Sequence, residues 1–392
     1  MKNDYQIKIA EYQTFFEYKL NSISTQKEGL YGGNLGITLL NAVFLKNNPQ
    51  HYLTNINQLY RKAVQSIGNE NGIAVTTSIS RGFAGLGIVD SILNNNNLTL
   101  LDNSEKTKLN IFLAKSIIPE AKKYSLDFTH SSIGAAYYLA KYGSDDESVL
   151  ENLKEFIRTI PIELTQEGIR AKNLLLTNND TTVTAFSFAH GMCGIISCCL
   201  EIYKLGIEQD YIRKIVSGFI KYILSFQLEN FDSKIYCQFP KTVYDNNARP
   251  AWYTLEGSSP DGWCMGDLII GYVILKAGVV LGIDAYIKKT ISIISTVLER
   301  RDFTTHRINH YSFCHGSVGI YWLLKKCFDL ESNNVFYEGS MFWLEKTMEL
   351  LAEHLYNEED NFNLLTGWGG VALVFDSTLS SKQMEWDNIY GI

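Results

Sequence analysis

A chain of 392 residues with 46% hydrophobic residues, 20% charged residues and a formal net charge of −7 has the balance of a globular protein with a large buried core, which excludes a disordered one. No Lys/Arg cluster stands out, so nucleic acid is not expected as a partner, nor an anionic membrane surface. Seven cysteines at irregular positions, behind a start (MKNDYQIKIAEYQTFFEYKL) without an apolar h-region, point to a cytoplasmic chain with reduced thiols rather than a secreted disulfide scaffold.

In chain order one pattern returns: a small residue, two variable residues, a glycine, then an apolar helix. It reads YGGNLGITLL (Gly33, Gly36), RGFAGLGIV (Ala84, Gly87), HSSIGAAYYLA (Ser131, Gly134) and AHGMCGIISCCL (Gly191, Gly194). A weaker copy, WCMGDLIIGYVIL (Gly266, Ile269), is followed by CHGSVGIYWLL (Gly316, Gly319) and TGWGGVALVF (Gly367, Gly370). Successive copies lie roughly 50 residues apart with two longer gaps, a spacing that marks repeat architectures.

Between the copies run amphipathic stretches such as NINQLYRKAVQSIG, SVLENLKEFIRTI, DYIRKIVSGFIKYILSF, YIKKTISIISTVLERR and FWLEKTMELLAEHLY, each with apolar residues at helical spacing. These are expected as outer helices, and the apolar Gly-motif helices as inner ones. Lys276 interrupts the most hydrophobic run, LIIGYVILKAGVVLGI, short of the roughly 18 to 20 apolar residues of a spanning helix, so a buried helix is expected there and no transmembrane segment.

Seven such pairs can close into a ring. The expected fold is therefore all-α, an α/α toroid of seven inner and seven outer helices forming one domain over residues 1–392. Glycine at the head of each inner helix either lets backbones approach closely or allows a positive φ, and close packing is the reading favoured for most copies. Residues 167–186, polar and β-branched without helical period, are expected as a loop or short extended insertion at the mouth of the ring.

If the inner helices run parallel, their leading loops share one end of the ring and the chemical residues there become informative. Cys264, Cys314 and His315, from two neighbouring copies, make a Cys₂His set, and three protein ligands with one open position is how catalytic zinc is usually held. The competing reading is that these are packed core side chains, and Cys193 is a rival fourth ligand that would close the site. Cys198, Cys199, Cys237 and Cys327 are expected in the core. His190 and Asp127 supply an imidazole and a carboxylate for moving a proton near neutral pH, with His130 a rival carrier. Asp127 could instead cap the third inner helix, and Asp261 and Asp267 are expected as caps or orienters.

The WC-x-G, CHG-x-x-G, AH-G-x-x-G and TGWGG segments, in this setting, resemble the stand-alone lanthipeptide (lantibiotic) cyclases of the LanC family over essentially the full length. The resemblance implies a Zn2+ enzyme of α/α-toroid fold that closes lanthionine and methyllanthionine rings. It would do so by adding cysteine thiolates of a precursor (leader plus core) to dehydroalanine or dehydrobutyrine. Cys264, Cys314 and His315 match the family's zinc ligands, and His190 and Asp127 its cavity histidine and aspartate. A lantibiotic dehydratase and an ABC exporter are implied as partners, in a complex at the membrane. Two departures stand out: Met265 follows the first zinc cysteine where the family often has an aromatic residue, and Pro260 and Asp261 stand near where it has an arginine, for which Arg249 is a substitute only if its loop folds inward. The residues also leave open a toroidal glycosidase or sugar epimerase built on paired carboxylates, and a peptide-binding scaffold with structural zinc.

Overall fold

The computed structural model of the chain describes residues 2–23, 29–69, 77–123, 126–171, 175–176, 182–228, 237–244, 261–302, 306–355, 359–380 and 384–392. Among them are fourteen α-helices. The inner seven are α2 (Asn34–Val43), α4 (Phe83–Asn94), α6 (Ser132–Tyr142), α8 (Met192–Lys204), α10 (Asp267–Leu281), α12 (Ser317–Leu330) and α14 (Trp368–Leu379). The outer seven are α1 (Lys2–Leu20), α3 (Pro49–Asn69), α5 (Asn103–Lys123), α7 (Glu147–Thr159), α9 (Gln209–Ser225), α11 (Asp284–Glu299) and α13 (Asn334–His354).

The two classes differ as their sequences require. Outer helix α7 buries Val149, Leu153, Phe156 and Ile157, one stripe at helical spacing, and Asp146 caps it by accepting from the Ser148 N–H. Inner helix α10 is buried nearly all round, Lys276 included. Each inner helix packs on the next, α2 on α4 and onward to α14, which returns to α2, so the ring is closed. The outer partner of α14 is α1, from the opposite end of the chain, and the Gln13 side chain donates to the Ala372 carbonyl at 2.8 Å.

The repeat registers on the residue capping each inner helix: Gly33, Gly82, Ser131, Gly191, Gly266, Gly316 and Gly367. The second copy is thus Gly82 and Gly85, not Ala84 and Gly87; Gly87 instead lets the Tyr138 ring of α6 lie against its backbone. Six caps have φ between −118° and −150°, which does not itself require glycine, although a Cβ at Gly191, Gly316 or Gly367 would lie 2.2–2.4 Å from backbone atoms of its own loop. The glycine three residues on is needed for space: a Cβ at Gly36, Gly85, Gly134, Gly194, Gly319 or Gly370 would lie 1.9–2.3 Å from the carbonyl oxygen of the residue three before the cap. Only the fifth copy departs, with Gly266 at φ 106° and Ile269 in the second place.

One belt of backbone hydrogen bonds joins all seven leading loops. Leu30 donates to Ser80, Ser80 to Thr129, Phe128 to Ala189, Phe188 to Cys264, Trp263 to Cys314, Cys314 to Leu365, and Leu364 back to Tyr31, at 2.6–3.1 Å. Every acceptor is the residue two before its cap. The residues three before the caps, Leu30, Ile79, Phe128, Phe188, Trp263, Phe313 and Leu364, are all buried. The bore they leave is filled by residues 386–392, whose 3-10 turn Trp386–Tyr390 is wholly buried.

Short strands interrupt the helical order. β1 (Ile162–Leu164) pairs antiparallel with β2 (Ile169–Ala171), and β3 (Leu175–Leu176), β4 (Thr182–Ala185) and β5 (Thr242–Tyr244) form a second antiparallel sheet. The described parts of the stretch 167–186 are thus largely extended, and they recruit residues 242–244, which the pattern did not single out. Pro260 and Arg249 lie outside the described residues.

Candidate metal centre

Cys264 and Cys314 occupy the acceptor position of adjacent belt loops, two residues before their caps, and His315 follows at the next position. The backbone N–H groups of Trp263 and Cys264 both point at the Cys314 carbonyl, at 3.0 and 3.4 Å. Gly262 permits this approach, since a Cβ there would lie 2.5 Å from the Cys314 oxygen and 3.1 Å from the His315 Cα. The two thiols are buried and the imidazole is exposed.

The three ligand atoms lie within 4.8 Å of one another, with His315 Nε2 2.8 Å from Cys264 Sγ and 3.8 Å from Cys314 Sγ. Tetrahedral zinc with ordinary bond lengths would separate sulfur from nitrogen by about 3.6 Å and sulfur from sulfur by about 3.8 Å. The cluster is therefore of the right size and donor type for a metal ion of that class. The bond from Cys314 and the neighbouring His315 draw Cys264 down to about 5, while the same contact pushes Cys314 up. The bond to Cys264 in turn raises His315.

One loop away, His190 holds the position corresponding to His315, and Asp127 lies four residues before the cap of α6. Ser78 and Asn363 stand at the same place in their own loops, where their side-chain oxygens accept backbone N–H bonds and close a turn. Asp127 Oδ1 does that work, accepting from the N–H groups of Thr129 and His130 at 2.8 and 2.7 Å and from the Thr129 hydroxyl. A carboxylate has a second oxygen, and Oδ2 accepts from His190 Nδ1 at 2.6 Å. Asp127 is thus a turn residue and a histidine partner together, rather than the cap of α6, which is Ser131.

The electrostatics follow this wiring. The hydrogen bond to Asp127 raises the His190 pKa against the opposing effect of burial. Burial would raise Asp127, but the hydrogen bond and charge of His190, with the His130 and Thr129 bonds, outweigh it and hold the carboxyl below its ordinary value. His130 stacks on His190 at 5.7 Å between ring centroids, and its Nδ1 lies 2.8 Å from Ser80 Oγ; burial first, then the charges of His190 and Arg81, lower its pKa. The two rings are thus shifted in opposite directions, His130 down and His190 up.

Asp261 accepts from the Leu268 N–H at the start of α10 at 3.3 Å, a capping contact. Asp261 and Asp267 are both buried against Arg300, at 2.8 and 3.0 Å, and Asp267 also accepts from the N–H groups of Gln238 and Phe239. Cys193, Cys198, Cys199, Cys237 and Cys327 are buried and lie outside the metal-type cluster. Lys241 was not singled out from the sequence. It sits beside β5, accepts from the Phe186 N–H, and its charge acts on both His190 and His315. No sequence signal marks it, because only the β4–β5 pairing brings residue 241 over the mouth.

The sequence pattern of one family, described as "Lanthionine synthetase C-like protein", matches residues 24–390. Among solved structures, nisin cyclase superposes with a TM-score of 0.74 over 100% of this chain and 97% of its own, at 18% sequence identity, which is a likeness of fold. No curated protein sequence matches the chain.

Proposed function

The chain belongs to the lanthionine synthetase C-like family, and from that premise we propose that it is a zinc-dependent cyclase closing thioether rings in dehydrated precursor peptides. The observation that carries this reading is the Cys264–Cys314–His315 cluster set one belt loop from the His190–Asp127 pair. Cys264, Cys314 and His315 would hold zinc, which as a Lewis acid supplies a substrate cysteine as thiolate at neutral pH.

The remaining chemistry falls to the chain's own groups. As the substrate sulfur bonds to the β-carbon of dehydroalanine or dehydrobutyrine, the double-bond electrons move toward the amide carbonyl and an enolate forms. Protonation at the α-carbon completes the ring. His190, kept charged by Asp127, is the donor, and the proton given up by the substrate thiol restores it, so the reaction needs no net acid or base. The inner-helix N-termini and the Lys241 charge oppose the transient negative charge.

A glycosidase or epimerase reading would need two free carboxylates at the mouth. Asp261 and Asp267 are both committed to buried Arg300. The same proposal treats residues 1–392 as one toroidal unit working in the cytoplasm, next to the dehydratase that makes its substrate and the exporter that removes its product. No helix among the described residues is long and apolar enough to cross a membrane.

Metal analysis of the purified protein and of Cys314→Ala tests the centre: about one zinc per chain, lost on substitution, is expected. Incubation with a dehydrated, cysteine-containing peptide tests the reaction, read as loss of free thiol without change of mass. A metal-loaded protein that leaves the thiol free would point to the scaffold instead.

A further inference from the structure

We infer that Tyr390, in the segment filling the bore, is a positioning residue for the metal centre, setting the spacing of its two cysteine loops from inside the ring. The inference rests on the proposed centre and concerns how this chain builds it.

Trp263 and Phe313 immediately precede Cys264 and Cys314, so whatever fixes these two side chains fixes the backbone from which the ligands leave. Tyr390 holds both. Its ring stacks on Phe313 at 3.9 Å and 17° and meets Trp263 edge-on at 5.3 Å. Its carbonyl accepts from Trp263 Nε1 at 2.9 Å. Its hydroxyl donates to the Leu364 carbonyl at 2.7 Å, tying it to the next belt loop round the ring. Tyr31 flanks the other side, its ring 5.9 Å away and its hydroxyl donating to the Ile389 carbonyl at 2.8 Å. One residue thus bonds or stacks with four consecutive belt loops, five, six, seven and one, and the first two of these are the cysteine loops.

The segment is held in register by further contacts of its other residues. Gly391, at φ 74°, fits where a Cβ would press on Phe128 and Phe188, and its carbonyl accepts from Ser197 Oγ at 2.8 Å. Asp387 accepts from Trp322 Nε1 and pairs with Lys326 at 2.9 Å. Trp386 packs on Trp322 and donates to Ser377 Oγ at 2.7 Å. These contacts fasten the segment to α8, α12 and α14, while Tyr390 carries its position to the ligand loops. A metal site tolerates little error in ligand separation, so loss of such support lowers affinity even when all three ligands remain.

The test uses the full chain as wild type, Tyr390→Ala, Tyr390→Phe and Asp387→Asn. It reads Zn2+ affinity by competition with a chromophoric chelator, the ligand-field absorption of the Co2+-substituted protein, and the unfolding midpoint. Tyr390→Ala should weaken zinc binding about tenfold or more and change the Co2+ spectrum, as supporting residues of metal ligands commonly do. Tyr390→Phe keeps the stacking and should restore both readouts. Asp387→Asn loosens the same segment away from the cluster and should lower the midpoint with the Co2+ spectrum unchanged. If Tyr390→Ala does not fold, Tyr390→Leu, which fills the space without stacking, takes its place with the same expectation. Unchanged affinity and spectrum in the folded Tyr390 variant, or equal spectral change in Asp387→Asn, overturns the inference alone. Wild-type protein that binds neither Zn2+ nor Co2+ overturns the proposed centre and the inference together.

Discussion

Replacing Asp127 by Asn isolates the carboxylate's second oxygen from its first. The turn should survive, because Asn363 closes the equivalent turn of the seventh loop through its side-chain oxygen, just as Asp127 Oδ1 does here. What disappears is the negative charge 2.6 Å from His190 Nδ1. A hydrogen bond between charged partners contributes about 1.5–3 kcal/mol when buried. The His190 side chain is 43% exposed, so solvent screening reduces this to about 1–1.5 kcal/mol. His190 should therefore titrate above the ordinary histidine value in the wild type and lower in Asp127→Asn, measured by NMR of ring-labelled histidine. Since the proposed donor must be protonated, the alkaline limb of the cyclisation rate should move to lower pH together with the His190 titration. The stability effect has a matching sign. A raised histidine pKa stabilises fully below the unfolded value of about 6.5, and that stability is lost as pH rises through the folded pKa. Asp127→Asn should thus be more destabilising at pH 5.5 than at 8.5. A wild-type His190 titrating at or below the ordinary value, or an alkaline limb unmoved by the substitution, would refute the reasoning.

Two further substitutions probe the frame. Gly319→Ala forces a Cβ to 1.9 Å from the Phe313 carbonyl, against backbone that cannot yield, and should cost about 3 kcal/mol in urea unfolding. Gly271→Ala meets Ile294 side-chain atoms at 3.0 Å, which can shift, and the gain of about 1 kcal/mol in helix propensity should leave it near neutral; equal costs at the two sites would contradict the close-approach explanation. Lys276, buried on α10, lies 3.0 Å from Glu201 of α8, and burial pushes it down to about 8 while Lys276 holds Glu201 at about 2 against its own burial. Lys276→Ala strands that carboxylate with Lys204 as its remaining partner and should cost about 3 kcal/mol at pH 7; the double variant Lys276→Met/Glu201→Leu should recover most of it. A loss below about 1 kcal/mol in the single variant would show that the pair is not a load on the ring.

One copy of the repeat registers differently in the structure than its spacing predicts, and the reason is local. RGFAGLGIV contains three glycines, and spacing alone cannot tell which of them meets a carbonyl three residues before a cap. Gly82 and Gly85 are distinguished from Gly87 by the Ile79 oxygen and the Tyr138 ring, neither of which a local pattern displays. Asp127 shows the same limit. Its sequence position suited a cap or a proton-transfer partner, and only the loop geometry reveals that each of its oxygens takes one task.

From the sequence alone came the helical class, the count of inner helices and the positions of Cys264, Cys314, His315 and His190, because periodic burial and repeated leading loops are local properties written residue by residue. Closure belongs to the tertiary structure: α1 completing the last pair, the seven-bond belt that brings two cysteine loops together, the strand that carries Lys241 to the mouth, and Tyr390 in the bore. Each joins residues far apart in the chain through backbone groups or aromatic rings that look alike wherever they occur, so partner choice is decided by the shape of the assembled ring.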